Sequence, residues 1–468
     1  MIFDSHRSVQ TEGTFRFSNT VTATVHPCLA KPIFTELWRG FTFHCSSLKT
    51  QASKELICAV GSARRPDHSN AAYAINVEPT GFCVSAGNEK NLIAGFLTLM
   101  DAIQAVDADG ETVLEIPCFT LRESPLIQNR MIHFCVFPET ELLDLQKFIR
   151  ICAALKYSHV ILEFWGMLKY DCMKELSWEH SYTKEQIRPL IQEAHDLGLE
   201  IIPMFNQWGH ASACRVMHGK HVVLDQNPAL QTYFTEDGWC WDISKPKVRA
   251  LLRQIRRELC ELCGEGSYFH IGCDEAYNFA FTTENMDFIC NFINEVSAEM
   301  KQLGRRVIAW GDMFLYRHPH YRSTEKYSCN APSAEVETYL LAHLSRDVVV
   351  ADWQYNAKET PVETAAVFQK AGFDTLLCPW DRSEANVHAC LQTVKEQHLF
   401  GLMHTTWHTL SVGMPYLPII AKNCFEDAGD YRRRQSRTHT AALLRKVCFA
   451  NGCYQRTGWS KADVSDVY

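Results

Sequence analysis

At 468 residues the chain is too long for one compact core and is expected to divide into two or three structural units. Its composition, 46% hydrophobic and 21% charged with no low-complexity tract, is that of a soluble globular protein. A net charge of -8, from 46 basic and 54 acidic residues, gives no electrostatic reason to expect nucleic acid or an anionic membrane as partner.

The start, Met1-Ile2-Phe3-Asp4-Ser5-His6-Arg7, has no apolar run of signal-peptide length. No later stretch supplies the roughly 18 uninterrupted apolar residues of a membrane helix, so a cytoplasmic location is expected. Twenty Cys are scattered from Cys28 to Cys453 without clustering. Most sit in apolar segments, Cys135, Cys152 and Cys378 among them, where Cys behaves as a small hydrophobe. Free thiols are therefore expected. Cys260 and Cys263 form a CxxC with no second pair at zinc spacing, and no metal or organic cofactor is implied.

Along the chain, residues 1–120 read as a small α/β domain. Tyr73-Ala74-Ile75-Asn76-Val77 alternates like a half-buried strand, Pro79-Thr80-Gly81 makes a turn, and Phe82-Cys83-Val84-Ser85-Ala86 returns, which predicts a hairpin. From Asn91 onward Leu92, Phe96, Leu99, Met100 and Ile103 recur at helical spacing. After Arg130 the rhythm becomes alternating strand and helix. Strands are predicted over 131–137, 159–164, 200–205, 268–272, 306–310, 348–353, 375–378 and 400–403. Helical periodicity fills the intervals, as in 184–197, 247–262 and 285–303. Eight such units predict a (β/α)8 TIM barrel over 125–450, closed by a helix over 431–450, with a tail over 451–468. No dinucleotide or phosphate-loop fingerprint precedes any of these helices, and Gly264-Glu265-Gly266, just before a strand, reads as a helix stop.

In such a barrel the loops after the strand C-termini build the site. The third strand leads into Asn206-Gln207-Trp208-Gly209-His210 and the fourth into His270-Ile271-Gly272-Cys273-Asp274-Glu275. Trp310-Gly311-Asp312, Asp352-Trp353-Gln354-Tyr355, Pro379-Trp380-Asp381-Arg382 and Thr405-Thr406-Trp407-His408 follow at the later ends. One Trp alone is ordinary packing. Trp at successive strand ends makes a wall that stacks on sugar rings, with carboxylates and amides to hold hydroxyls. Period-2 alternation places His270, Gly272 and Asp274 on one face, with Gly272 leaving space. Glycoside cleavage needs an acid for the leaving oxygen and an anionic group near the anomeric carbon, which Glu275 and Asp274 can supply.

His270-Ile271-Gly272-Cys273-Asp274-Glu275 resembles the H-x-G-x-D-E signature of glycoside hydrolase family 20, the β-N-acetylhexosaminidases. The resemblance runs from about Tyr73 to Trp407 and includes Pro203 to His210 and Val307 to Asp312. It implies a retaining exo-β-N-acetylhexosaminidase working by substrate-assisted catalysis on an amino-sugar-containing oligosaccharide or glycoconjugate. By that resemblance Glu275 is the acid/base and Asp274 orients the substrate's 2-acetamido group. Trp310, Trp353 and Trp407 box the sugar, Arg130 grips hydroxyls, and His210 supports the acid. His270 and Asp381 fall among the substrate-binding positions. The chain departs from the family pattern in four places. Arg-Gly reads Arg130-Met131, Pro-Glu reads Pro203-Met204, Tyr-x-Asp reads Pro379-Trp380-Asp381, and Trp-x-Glu reads Trp407-His408-Thr409. Tyr355 is the candidate replacement for the missing tyrosine. Two alternatives compete: a carbohydrate-binding barrel without turnover, and a hydrolase using two protein carboxylates, the second being Glu163 or Asp312.

Overall fold

A computed structural model describes residues 8–17, 19–108, 110–212, 223–317, 327–407, 414–426 and 433–448. Eight parallel strands close into a barrel, and the reason lies in their sequences. Each is buried over most of its length on both faces, as strands with helices outside and side chains inside must be. The strands are Asn129–Cys135, His159–Glu163, Glu200–Met204, Tyr268–His270, Arg306–Trp310, Val349–Trp353, Thr375–Cys378 and Gly401–Thr406. The first pairs with the second on one side and the eighth on the other, which leaves no edge.

Alternation along the strands sorts their residues into two cores. Met131, Ile161, Ile202, Ile308, Val349, Leu376 and Met403 point inward and fill the lumen. Their neighbours Ile132, Leu162, Ile201, Val307, Val350 and Leu402 point outward into the layer of helices. That layer includes Lys184–Asp196, started by a capping box between Thr183 and Gln186, and Pro246–Cys263, with proline in its first turn. Thr283–Gln302 and the closing helix Arg433–Cys448 are also as expected within a few residues. The tail over 451–468 lies outside the described residues.

The N-terminal unit is larger than the predicted hairpin and helix. The hairpin Tyr73–Glu78 and Gly81–Ala86 is present, inside an eight-stranded sheet. A long strand, Glu111–Glu123, pairs with Ser8–Phe17, Tyr73–Glu78 and Gln104–Ala108 and runs past residue 120. The helix Glu89–Asp101 begins earlier than its apolar pattern, because the Asn88 side chain accepts from Asn91 N. It packs beside a second helix, Pro32–Phe41, with the Trp38 and Phe96 rings stacked at 6.3 Å. Every described cysteine is free, and burial pushes the Cys263 thiol up to about 12. No described helix is long and apolar enough to cross a membrane.

Candidate active site

The fourth barrel strand stops at His270, two residues short of the predicted end. The chain then coils through left-handed conformations, with φ of 65° at Gly272, 74° at Cys273 and 50° at Glu275. Asp274 therefore does not reach its place by strand alternation. It is carried there by a strained turn, of the sort found where side-chain aim matters more than backbone comfort. Gly272 is required for a second reason: a Cβ on it would lie 1.7 Å from Asn206 Oδ1. Gly209 does the same for the neighbouring loop, where a Cβ would lie 1.8 Å from the Asp274 carbonyl oxygen. Two glycines thus let the third and fourth loops touch.

That contact brings His210 to the acids. Its Nε2 lies 2.8 Å from Glu275 Oε2 and 3.4 Å from Asp274 Oδ2, so one imidazole edge serves both carboxyls. Glu275 is further fixed through its backbone. Its N–H donates to Asp312 Oδ2 at 3.0 Å, and its carbonyl accepts from Trp239 Nε1 at 2.5 Å. Trp239 also packs on the His210 ring at 4.5 Å, and the exposed Tyr277 ring stacks on Trp239 at 6.0 Å. Asp312 accepts from Trp353 Nε1 at 3.0 Å and from Asn330 Nδ2 at 2.7 Å. Burial, with the charge of Asp274 beside it, pushes the Asp312 carboxyl up to about 7.

Aromatic side chains wall this mouth. The Trp310 and Trp407 rings lie 5.5 Å apart, and Tyr355 sits 5.0 Å from Trp353 and 5.1 Å from Trp380. The Tyr355 oxygen accepts from Trp407 Nε1 at 2.5 Å and from Thr405 Oγ1 at 3.3 Å. Deeper in the lumen is a polar cluster. Glu163 Oε2 faces His133 Nε2 at 2.9 Å and Cys135 Sγ at 3.3 Å, while Asn206 Nδ2 donates to Oε1 at 3.1 Å. These donors could be mistaken for metal ligands. A tetrahedral ion with bonds of roughly 2.0–2.1 Å would hold nitrogen and oxygen about 3.3 Å apart, so the shorter contact is a hydrogen bond. Glu163, Met204, Asn206 and His210 line one small cleft.

With this geometry in place, comparison with known proteins is decisive. The family model for the catalytic domain of glycosyl hydrolase family 20 matches residues 158–407, more than half of the chain. The chain belongs to glycoside hydrolase family 20. Lacto-N-biosidase of Bifidobacterium bifidum is 19% identical over 331 residues, which are 66% of this chain and 26% of that protein. A β-hexosaminidase of Porphyromonas gingivalis is 22% identical over 280 residues, 52% of this chain and 35% of that protein. The chain thus spans well under half the length of these relatives. An exo-β-N-acetylglucosaminidase structure from Vibrio harveyi, in complex with N-acetylglucosamine, superposes with a TM-score of 0.68 at 16% identity, covering 94% of this chain and 76% of that one. At that identity the likeness establishes the fold.

Two family positions inferred from sequence lie elsewhere. Arg130 is the second residue of the first strand, at the mouth opposite Glu275. Its guanidinium donates to the Ile127, Gln128 and Lys156 carbonyls and lies over the Phe425 ring. It cannot grip a sugar in this pocket. Asp381 is buried 3.8 Å from His404, whose strand neighbour Met403 faces the lumen, so the pair sits on the outer side of the sheet. The structure brings together Asp274, Glu275, His210, His270, Trp310, Trp353, Tyr355 and Trp407. It adds His133, Cys135, Glu163, Asn206, Trp239, Tyr277 and Asn330. Glu163 and Asn206 carried a signal as polar residues at strand ends. His133 and Cys135 carried none.

Proposed function

We propose that this family 20 chain is a retaining exo-β-N-acetylhexosaminidase that cleaves terminal β-linked N-acetylglucosamine or N-acetylgalactosamine from an oligosaccharide or glycoconjugate. The observation that carries the reading is the sharing of His210 by Asp274 and Glu275 inside an aromatic-walled cleft. The β-hexosaminidase and the exo-β-N-acetylglucosaminidase named above support an N-acetylhexosamine as the sugar.

In this reading Glu275, protonated, delivers its proton to the glycosidic oxygen as the bond to the anomeric carbon breaks. The substrate's acetamide carbonyl oxygen attacks that carbon and closes an oxazolinium ion. Asp274 accepts the acetamide N–H and balances the positive charge that grows there. The Tyr355 hydroxyl, whose oxygen accepts from Trp407 Nε1, is the group that donates to the acetamide oxygen. The Glu275 carboxylate then takes a proton from water, which opens the ring with overall retention. Prealignment of the acetamide is a proximity effect worth several kcal/mol. Use of Glu163 or Asp312 as a protein nucleophile is disfavoured, since each accepts three hydrogen bonds from fixed neighbours.

An aryl β-N-acetylglucosaminide should be hydrolysed, an aryl β-glucoside left intact, and a thiazoline mimic of the oxazolinium should inhibit. Glu275→Gln should lower kcat/KM on poor leaving groups by about 10²–10⁴. Asp274→Asn should lower kcat by about 10²–10³ with little change in binding. Cleavage of the plain glucoside, or full activity of Asp274→Asn, overturns the assignment.

A further inference from the structure

One layer below the acids, the lumen holds polar groups that its own residues do not satisfy. His133, Glu163 and His270 are buried, and the residues beneath them, Met131, Ile161 and Ile308, are an apolar plug. Four buried polar atoms on adjoining side chains have no hydrogen-bond partner among the described residues: His133 Nδ1, His270 Nε2, Trp310 Nε1 and Asn206 Oδ1. Buried polar atoms are costly to leave unpaired, and so many in one place call for a ligand or ordered water.

Their hydrogen-bonding character can be worked out. Gly272 N–H donates to His270 Nδ1 at 3.0 Å, so the neutral ring carries its hydrogen on Nε2 and offers a donor. Burial holds His270 well below the usual histidine range, which keeps the ring neutral. In its neutral form His133 donates from Nε2 to the Glu163 carboxylate, which leaves Nδ1 an acceptor. Asn206 turns its Nδ2 to Glu163, so its Oδ1 is a second acceptor, and Trp310 Nε1 is a second donor. The rings join the aromatic wall directly, with His133 4.7 Å from Trp407 and His270 4.5 Å from Trp310.

We infer that this floor, set by His133 on Glu163 and by His270, reads the hydroxyl edge of the terminal sugar and selects an uncharged, unsubstituted ring. A hydroxyl donates and accepts at once, and two donors beside two acceptors match hydroxyls. A sulfate ester or carboxylate only accepts, so it would leave both acceptors facing lone pairs and would meet the Glu163 charge. The same floor supplies what Arg130, held at the opposite mouth, does not. The inference rests on the proposed function for the sugar's orientation, with its reacting carbon at Asp274 and Glu275 and its far edge inward.

The test uses N-acetylglucosamine thiazoline, its 3-, 4- and 6-deoxy analogues and an O-sulfated derivative, with affinities measured by calorimetry on the whole chain. In the natural protein at least one deoxy analogue and the sulfated derivative should bind tenfold or more weaker than the parent. In His133→Phe the parent should fall to the level of that deoxy analogue, and the analogue should lose little more. Glu163→Gln, nearly isosteric, frees the His133 tautomer and should shrink the same ratio, with thermal unfolding as the check that either variant folds. Equal affinity for all the ligands, or a deoxy penalty unchanged in a folded variant, overturns the floor. Turnover of the aryl N-acetylglucosaminide is read separately: retained turnover with no hydroxyl discrimination sinks this inference alone. Absence of turnover with discrimination intact sinks the proposed reaction alone, and failure to bind the parent thiazoline sinks both.

Discussion

Two neighbouring carboxyls show how placement at one residue sets its chemistry. Asp312 turns inward, accepts from three N–H donors around Glu275, and is pushed up to about 7 by burial and by Asp274. Asp352 sits on the sixth strand and accepts from Gln354 Nε2 at 2.7 Å and Thr364 Oγ1 at 2.6 Å. Burial alone pushes it up to about 6, with both hydrogen bonds opposing. Because the folded value exceeds the value near 4 of the unfolded chain, the folded protein binds the extra proton. Its contribution to stability is complete below about pH 4 and is lost as pH rises through about 6. Asn fits the same two partners, one as acceptor and one as donor. Asp352→Asn should therefore flatten the fall in Tm between pH 4.5 and 7 relative to the natural protein. Parallel Tm-against-pH curves for the two would mean that Asp352 is not the group responsible.

At the scale of elements, the strand-to-loop turn after His270 carries the site. Gly272→Ala puts a methyl group 1.7 Å from Asn206 Oδ1 at a φ of 65° that alanine resists. Expected are a loss of at least about 2 kcal/mol in denaturant unfolding and a drop in kcat, since relief of the clash must move Asp274. Wild-type kcat in a folded Gly272→Ala protein would show that the turn does not aim the acids. The barrel itself was legible because strands buried on both faces write unbroken apolar runs such as Val160 to Leu162. That same feature hid the pocket floor. In the first strand Met131, Ile132 and Phe134 are all apolar, so nothing fixes which neighbours face inward; His133 carries no signal and Cys135 reads only as a small hydrophobe. Arg130 was misplaced for the related reason that a motif match gives the residue but not its end of the barrel. In the N-terminal sheet, Ser8–Phe17 is mostly exposed and polar, so it lacked the apolar alternation that marks the hairpin.

For the whole molecule, the barrel and the N-terminal sheet are held together by the helix that closes the chain. Arg150, almost fully buried, donates to Glu193 at 2.6 Å, to Glu36 of the N-terminal helix at 3.1 Å, and to the Val447 carbonyl at 3.0 Å. Lys446 reaches across to Asp101 at 2.9 Å. The helices themselves meet at Gly40, where a Cβ would lie 1.9 Å from the Lys446 carbonyl oxygen. No side-chain rotation relieves that contact, because the obstructing atom is backbone. Gly40→Ala must therefore wedge the closing helix away from Pro32–Phe41, stretch the Arg150 contacts and open the seam. The cost should be about 1–3 kcal/mol, seen as a lower Tm, although alanine favours the helix by about 1 kcal/mol. Since the seam lies far from the strand ends that carry Glu275, kcat and KM of the folded fraction should be unchanged. A Gly40→Ala protein with undiminished Tm would show that the two units do not depend on this helix contact.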